Sequence, residues 1–293
     1  MIKIVNLCKS FGTHIVLDQL SIDIPDGSVF GLVGINGAGK STLLRIMAGI
    51  YQSNSGEVLY DDEAVYENET VKKQIFLLPD EPYYSINATG RKLATLYSTF
   101  YTFDQSVFDG LLRQFKLDMD HPLRLFSKGM RRQLFIALAL ACKPKYLLLD
   151  EAFDGLDPLA RLAFKRSIIE LMEQQHTTII ISSHSLRELE DICDSYGLLD
   201  HHHIISSGQI ENEVDKIHKF QLAFNVDKDQ SDFEGLDIVH FDKTGRLIRL
   251  VARGNKEKIT TQIEAMNPLF IDSIPIDFEE LFMVEVESKG YLK

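Results

Sequence analysis

The sequence predicts an α/β domain on a mostly parallel sheet, followed by a small α+β domain, and three observations carry that expectation. Residues 34–42 read GINGAGKST between an apolar run at 29–33 and a helix-like stretch at 43–48. Short continuous apolar runs at 146–149 and 178–181 flank a helical pattern at 158–174, the order of a buried strand, a helix and a second buried strand. Beyond Gly208 the chain changes character, with strand-like stretches at 220–226, 238–241 and 247–251 and a helix-like one at 256–265.

Residues 2–5, 22–24 and 57–60 read as short strands separated by turns at Gly12, 25–27 and 54–56, so an antiparallel portion flanks the glycine-rich loop. In that loop the spacing of Gly34, Gly39, Lys40 and Ser41 lets backbone N–H groups curl around an anion at a helix N-terminus, where the helix dipole also favours negative charge. The nucleotide-contacting stretch is then Asn36, Gly37, Ala38, Gly39, Lys40, Ser41 and Thr42, with Lys40 on the outer phosphates and Ser41 on Mg²⁺. A nucleoside triphosphate is the expected ligand, and the loop belongs at the carboxyl edge of the sheet.

From about 88 to 143 the pattern is helical: Leu93, Leu96, Tyr97 and Phe100 keep a 3.6 period, as do Phe108, Leu111, Leu112 and Phe115. Inside this segment Ser127 is placed to cap the apolar helix 134–142, with Gly129 bringing the backbone close to whatever sits there. The run 146–149 ends in Asp150 and Glu151, two acids at the tip of a buried strand. Beside a phosphate-bound Mg²⁺, Asp150 would hold the metal, directly or through water, and Glu151 would polarise the attacking water. The tail from 216 to 293 ends in a short apolar element at 278–284 and carries no motif of chemistry.

Composition bounds the functions. The 293 residues exceed one minimal domain, and 31 Lys+Arg against 43 Asp+Glu give a net charge of −12, which argues against a nucleic-acid partner. Cys8, Cys142 and Cys193 are scattered, so a reducing cytosol fits better than a disulfide framework. No run approaches a membrane span and the first residues lack a signal-peptide core, so any membrane role is expected to come through a partner. The run His201-His202-His203 lies between strand-like stretches and reads as a hairpin turn, and the acids at 61–63 as a solvated turn. Met119, Phe126, Tyr97, Phe100, Tyr101 and Phe103 read first as core packing, with a groove for a partner helix as the alternative.

Taken in order, these motifs resemble the ATP-binding subunit of ABC transporters over about residues 7–208. GINGAGKST resembles the family's Walker A loop, YLLLDE its Walker B strand, FSKGMRRQ its signature, Gly155-Leu156-Asp157 its D-loop, and His184 its switch histidine; Phe11 falls where the family stacks an aromatic on adenine. The resemblance implies a P-loop NTPase fold with an antiparallel β subdomain and a helical subdomain at about 84–145. The ATPase domain would then span 1–215 and the α+β domain 216–293. It implies ATP and Mg²⁺ as cofactors, with Glu151 and His184 catalytic and Phe11, Ser127, Gly129 and Asp157 on nucleotide. Two such domains would meet head to tail, as a homodimer or with a related subunit, each ATP lying between the Walker A loop of one and Ser127-Gly129 of the other. A separate transmembrane permease would hold the pair on the inner face of the cell membrane.

Two departures stand out. The usual LSGGQ signature is replaced around Ser127 and Gly129 by Phe126, Lys128 and Met130, a variant that resembles exporters of drugs, bacteriocins, peptides and polysaccharides. Asp80, or Glu81, stands where the family's Q-loop glutamine helps to coordinate Mg²⁺, so Asp80 joins Ser41 and Asp150 as a metal candidate. A soluble ATPase switch on ribosomes or DNA is the rival function. An effector-binding regulator in the tail is a third, added role.

Overall fold

In the computed structural model the first strand is long: β1 (Ile2–Phe11) pairs antiparallel with β2 (His14–Ile24), and the register shifts three times between Ile4 and Ser10. Those bulges break the alternation that marks a strand in sequence, which is why only residues 2–5 were legible. After β3 (Val29–Val33) and α1 (Lys40–Met47), β4 (Ser55–Tyr60) and β5 (Glu63–Ala64) complete a sheet of order β2-β1-β4-β5. Ile4, Leu7, Leu17 and Leu20 of this sheet pack with Leu43, Leu44, Ile46 and Met47 of α1 in one core. The antiparallel sheet thereby fixes the helix whose N-terminus carries the glycine-rich loop.

Asp61, in the acidic turn, does more than meet solvent. It accepts hydrogen bonds from Lys145 Nζ at 2.6 Å and Tyr146 Oη at 2.8 Å, and the Lys145 bond holds its carboxyl well below the usual carboxylate range.

Past α2 (Glu69–Lys72) comes β6 (Ile75–Leu78), a strand of four residues that sequence periodicity alone does not reveal. The helical segment resolves into α3 (Gly90–Tyr97), α4 (Gln105–Phe115), a 3₁₀ turn at Leu123–Leu125 and α5 (Lys128–Ala141). Each α-helix is started by a side-chain cap, from Thr89, Asp104 and Ser127 in turn. Phe126 is buried and Tyr101 Oη donates to Ile75 O at 2.9 Å, whereas Phe100 and Leu96 are exposed.

The chain then returns to the sheet through β7 (Tyr146–Asp150), α6 (Pro158–Gln175), β8 (Thr178–Ser183), the short α7 (Leu186–Leu189), β9 (Ser195–Asp200) and β10 (His203–Gln209). The order is β10-β9-β3-β8-β7-β6, and β9 through β6 are parallel. Every residue of β3, β7 and β8 is buried, as expected of strands covered on both faces. His201 and His202, both at positive φ, turn the β9–β10 hairpin, while His203 begins β10.

The structure describes residues 1–210, 216–276 and 280, and it divides into the units Met1–Ser207 and Gly208–Lys293. In the second unit β11 (Ile217–Ala223), β12 (Asp237–Thr244), β13 (Leu247–Arg253) and β14 (Phe270–Ile274) form an antiparallel sheet of order β12-β13-β11-β14. Phe220, Leu222 and Leu250 of the sheet pack against Ile259 and Ile263 of α8 (Lys256–Glu264), whose N-cap is Asn255. β14 escaped sequence reading because it is an edge strand with no buried position. The element expected at 278–284 lies outside the described residues, Glu280 apart.

Candidate functional site

The glycine-rich loop leaves β3 at its carboxyl end and closes on the first turn of α1. Gly39 caps that helix at φ 109°, a conformation that L side chains rarely adopt, and a Cβ there would stand 3.0 Å from Val16 O of β2. Gly34 is constrained by space: an added Cβ would lie 2.4 Å from Leu199 O. These contacts wedge the loop between the two sheets, and glycine at each place follows from geometry.

Lys40 opens α1 and is only 5 % exposed. Its Nζ donates to Gly34 O at 2.6 Å and Ile35 O at 3.2 Å, and lies 3.1 Å from Glu151 Oε1. The cation thus sits at the mouth of the loop between backbone carbonyls and one carboxylate. Ser41 Oγ, one residue on, donates to Asp150 Oδ1 at 3.0 Å, and Ser182 Oγ at the end of β8 donates to the same oxygen at 2.8 Å. A hydroxyl and a carboxylate meeting in this way are hard oxygen donors, the set suited to a small divalent cation.

Glu151 follows β7 with φ 48°, a left-handed conformation uncommon outside glycine and often found at functional sites. Both of its backbone polar groups are held: its N–H donates to Ser182 Oγ at 3.0 Å and its carbonyl accepts from Arg132 Nη2. Its side chain, 13 % exposed, meets Lys40 on one carboxylate oxygen and His184 Nδ1 at 3.0 Å on the other. Asp154 brings a further carboxylate oxygen within 4.8 Å of the Glu151 and His184 donor atoms.

Among the residues expected from sequence, Lys40, Ser41, Asp150, Glu151 and His184 are therefore brought into one group, Lys40 and His184 by their contacts with the Glu151 carboxylate and Ser41 and Asp150 by hydrogen bonds linked to Glu151 through Ser182. Asp80 is joined to this group through Arg132: its carboxylate is 3.2 Å from Arg132 Nη2, which also donates to Asp150 O and Glu151 O. Asp157 caps α6 through Leu159 N and Ala160 N and accepts from Gln133 Nε2 at 3.5 Å. Ser127 Oγ is spent within its own helix on Met130 N, and a Cβ on Gly129 would stand 2.8 Å from Gly155 O, so the start of α5 packs on the loop before α6. Phe11 ends β1, about half exposed, edge-on to Tyr51 with ring centroids 5.6 Å apart.

Sequence reading did not single out Ser182, Asp154 or Arg132. Arg132 had a signal: it stands just before the continuous apolar run 134–141, and in the fold all ten residues from Arg132 to Ala141 are buried. A charge at the start of such a helix must find partners. Burial pulls the pKa of its guanidinium down, and the surrounding acids, Asp80 first, oppose that. Ser182 had a weaker one, a hydroxyl at the tip of an otherwise apolar strand.

A family model described as ABC transporter matches residues 17–154. The chain is 27% identical to the ABC transporter ATP-binding protein YtrB of Bacillus subtilis over 291 residues, 99% of each chain. It is 34% identical over 227 residues to the lantibiotic transport ATP-binding protein SrtF of Streptococcus pyogenes, covering 77% of this chain and 96% of that protein. Among solved structures, an ATP binding subunit of an ABC transporter superposes with TM-score 0.67 at 25% identity, over 73% of this chain and 91% of the other.

Proposed function

The chain belongs to the family of ABC transporter ATP-binding subunits and is an ATP-binding, ATP-hydrolysing protein; from that premise we propose that it works as a pair, closing two copies over ATP to drive a separate membrane permease that exports a peptide-like compound. The observation that carries the reading is the chain of contacts from Lys40 through Glu151 to His184, set beside the Ser41–Asp150 pair. An outer phosphate at the loop would take Lys40 from Glu151, and the freed carboxylate would turn to a water. Asn36, Gly37, Ala38 and Gly39 would supply backbone amides, Thr42 would add a contact from the first turn of α1, and Phe11 would stack on the base. His184, tied to Glu151, would hold that carboxylate while touching the outer phosphate.

Mg²⁺ fits the donors present, Ser41 Oγ and Asp150 Oδ1; bound there with ATP, it would neutralise charge developing on the phosphates. The start of α5 offers a second helix N-terminus of the same polarity, and Ser127 and Gly129 would meet the ATP held by the other copy. Asp157, in the loop against which that terminus packs, would lie at the same seam. The lantibiotic transport relative and the residues around Ser127 support a peptide-like export cargo. Among the described residues no helix is long and apolar enough to cross a membrane, so the permease is a second chain in this reading.

Ser127→Arg tests the pairing. A bulky cation at this terminus is expected to cut phosphate release from ATP at least about tenfold, on the scale of one lost charge-stabilising contact. ADP binding to the single copy, followed by fluorescence, stays within about twofold, because Lys40 and its loop are untouched. Unchanged turnover would reject the second terminus as part of the site.

A further inference from the structure

We propose that Arg132 is a positioning residue, a buried clamp that ties the backbone of Glu151 to the linker leaving β6, so that the placement of α5 sets the aim of the Glu151 carboxylate. This rests on the reading of Glu151 as the water-polarising group.

The guanidinium is 3% exposed and addresses five acceptors at the carboxyl ends of two neighbouring strands. Nη1 donates to Pro79 O at 2.9 Å and Asp80 O at 3.1 Å, both beyond β6. Nη2 donates to Asp80 Oδ1 at 3.2 Å, to Asp150 O at 3.1 Å and to Glu151 O. Four of the five are backbone carbonyls, so this is no ordinary ion pair. Its carboxylate partner is itself 43% exposed, and the four carbonyl dipoles add to the surrounding acids, Asp80 first, in offsetting the cost of burying the charge.

Glu151 is the residue where such a clamp matters. At φ 48° its carbonyl accepts from Arg132 and, within the turn that follows, from Asp154 N at 3.1 Å, while its amide is turned to Ser182; two side chains from α5 and β8 thus tie a backbone that few non-glycine residues adopt to elements outside its own turn. Holding that carbonyl and the amide fixes φ and ψ at the Glu151 Cα, from which the carboxylate side chain projects. Arg132 reaches it from α5 in the helical segment, and the same guanidinium grips Pro79 and Asp80, the chain's path into that segment. Displacement of either end is therefore felt at Glu151. Lysine cannot replace this fork, since one ammonium offers a point charge and three donors without the planar span.

The clamp also gives Asp80 a role different from that of a metal ligand. In the proposed arrangement Asp80 is the counter-charge that keeps Arg132 in place.

The test is steady-state ATPase kinetics with Mg²⁺ titration and separate nucleotide binding, on the full chain, for wild type, Arg132→Lys and Asp80→Asn. Arg132→Lys is expected to lose about 10- to 100-fold in kcat, the scale of a catalytic group displaced by a fraction of an ångström, with KM for ATP within about twofold. Asp80→Asn is expected to lose about 3- to 10-fold in kcat, the carbonyl contacts remaining, with an unchanged Mg²⁺ half-saturation. Wild-type kcat in Arg132→Lys would overturn the clamp, as would equal losses of kcat and of nucleotide binding, which mark a merely structural residue. A raised Mg²⁺ requirement in Asp80→Asn would overturn it in favour of Asp80 as metal ligand. Should Arg132→Lys fail to fold, wild-type kcat in Asp80→Asn decides against the clamp. Absent turnover in the wild type would instead reject the reading of Glu151 on which the clamp depends.

Discussion

Glu151→Gln is expected to lower kcat for ATP hydrolysis by about 10²- to 10⁴-fold, the contribution of a positioned general base, with ATP and ADP binding as tight as in the wild type or tighter. Turnover is read by phosphate release and binding by a fluorescent nucleotide. The split follows from the two partners of the carboxylate. On one side Glu151 meets Lys40 at 3.1 Å, so in the absence of nucleotide the acid neutralises the cation that phosphates would use. Replacing it by an amide of the same shape removes that competition, and Lys40 is free for the outer phosphates. On the other side the bond to His184 Nδ1 can be kept by an amide, so the local geometry survives and only the ability to take a proton is lost. A parallel loss of binding and turnover would contradict these separate roles.

Lys40→Met is expected to act on the other half of the cycle, weakening ATP by about 10- to 100-fold, or about 1.5–3 kcal/mol for a lost bond to a charged group, and ADP by less. The ordering follows from placement, since Lys40 begins α1 and its Nζ already lies at the carbonyls of Gly34 and Ile35, where the outer end of a phosphate chain would come. The substitution also leaves Glu151, 13 % exposed, without its cation, so a modest loss of thermal stability accompanies it. Equilibrium binding of both nucleotides checks the ordering. Equal losses for ATP and ADP would show that Lys40 serves the loop's fold and not the outer phosphates.

How much of this was legible in the sequence depended on whether local spacing or distant packing decided each feature. The glycine-rich loop was legible because its conformation is dictated within nine residues, and the acids at 150 and 151 because that loop, earlier in the chain, gives a strand ending in carboxylates a meaning beyond capping the next helix. The parallel strands β3, β7 and β8 announced themselves as continuous apolar runs. By contrast β6 has only four residues, and β1 hid residues 6–11 behind bulges. Arg132 shows the limit most clearly. It lay in plain view within FSKGMRRQ, but its meaning comes from carbonyls at 79, 80, 150 and 151, contributed by two strands that only the folded sheet sets side by side. For the same reason Asp80 read as a metal candidate from its position in the motif order, whereas in three dimensions its carboxylate faces Arg132.

The most direct test of the paired ATPase is light scattering of Glu151→Gln at saturating ATP with and without Mg²⁺. A stable species of twice the 33.3 kDa chain is expected with ATP, against a transient one for the wild type, because the blocked carboxylate would stop the step that parts the copies. A variant that binds ATP yet remains at the mass of one chain would contradict closure of two copies over nucleotide.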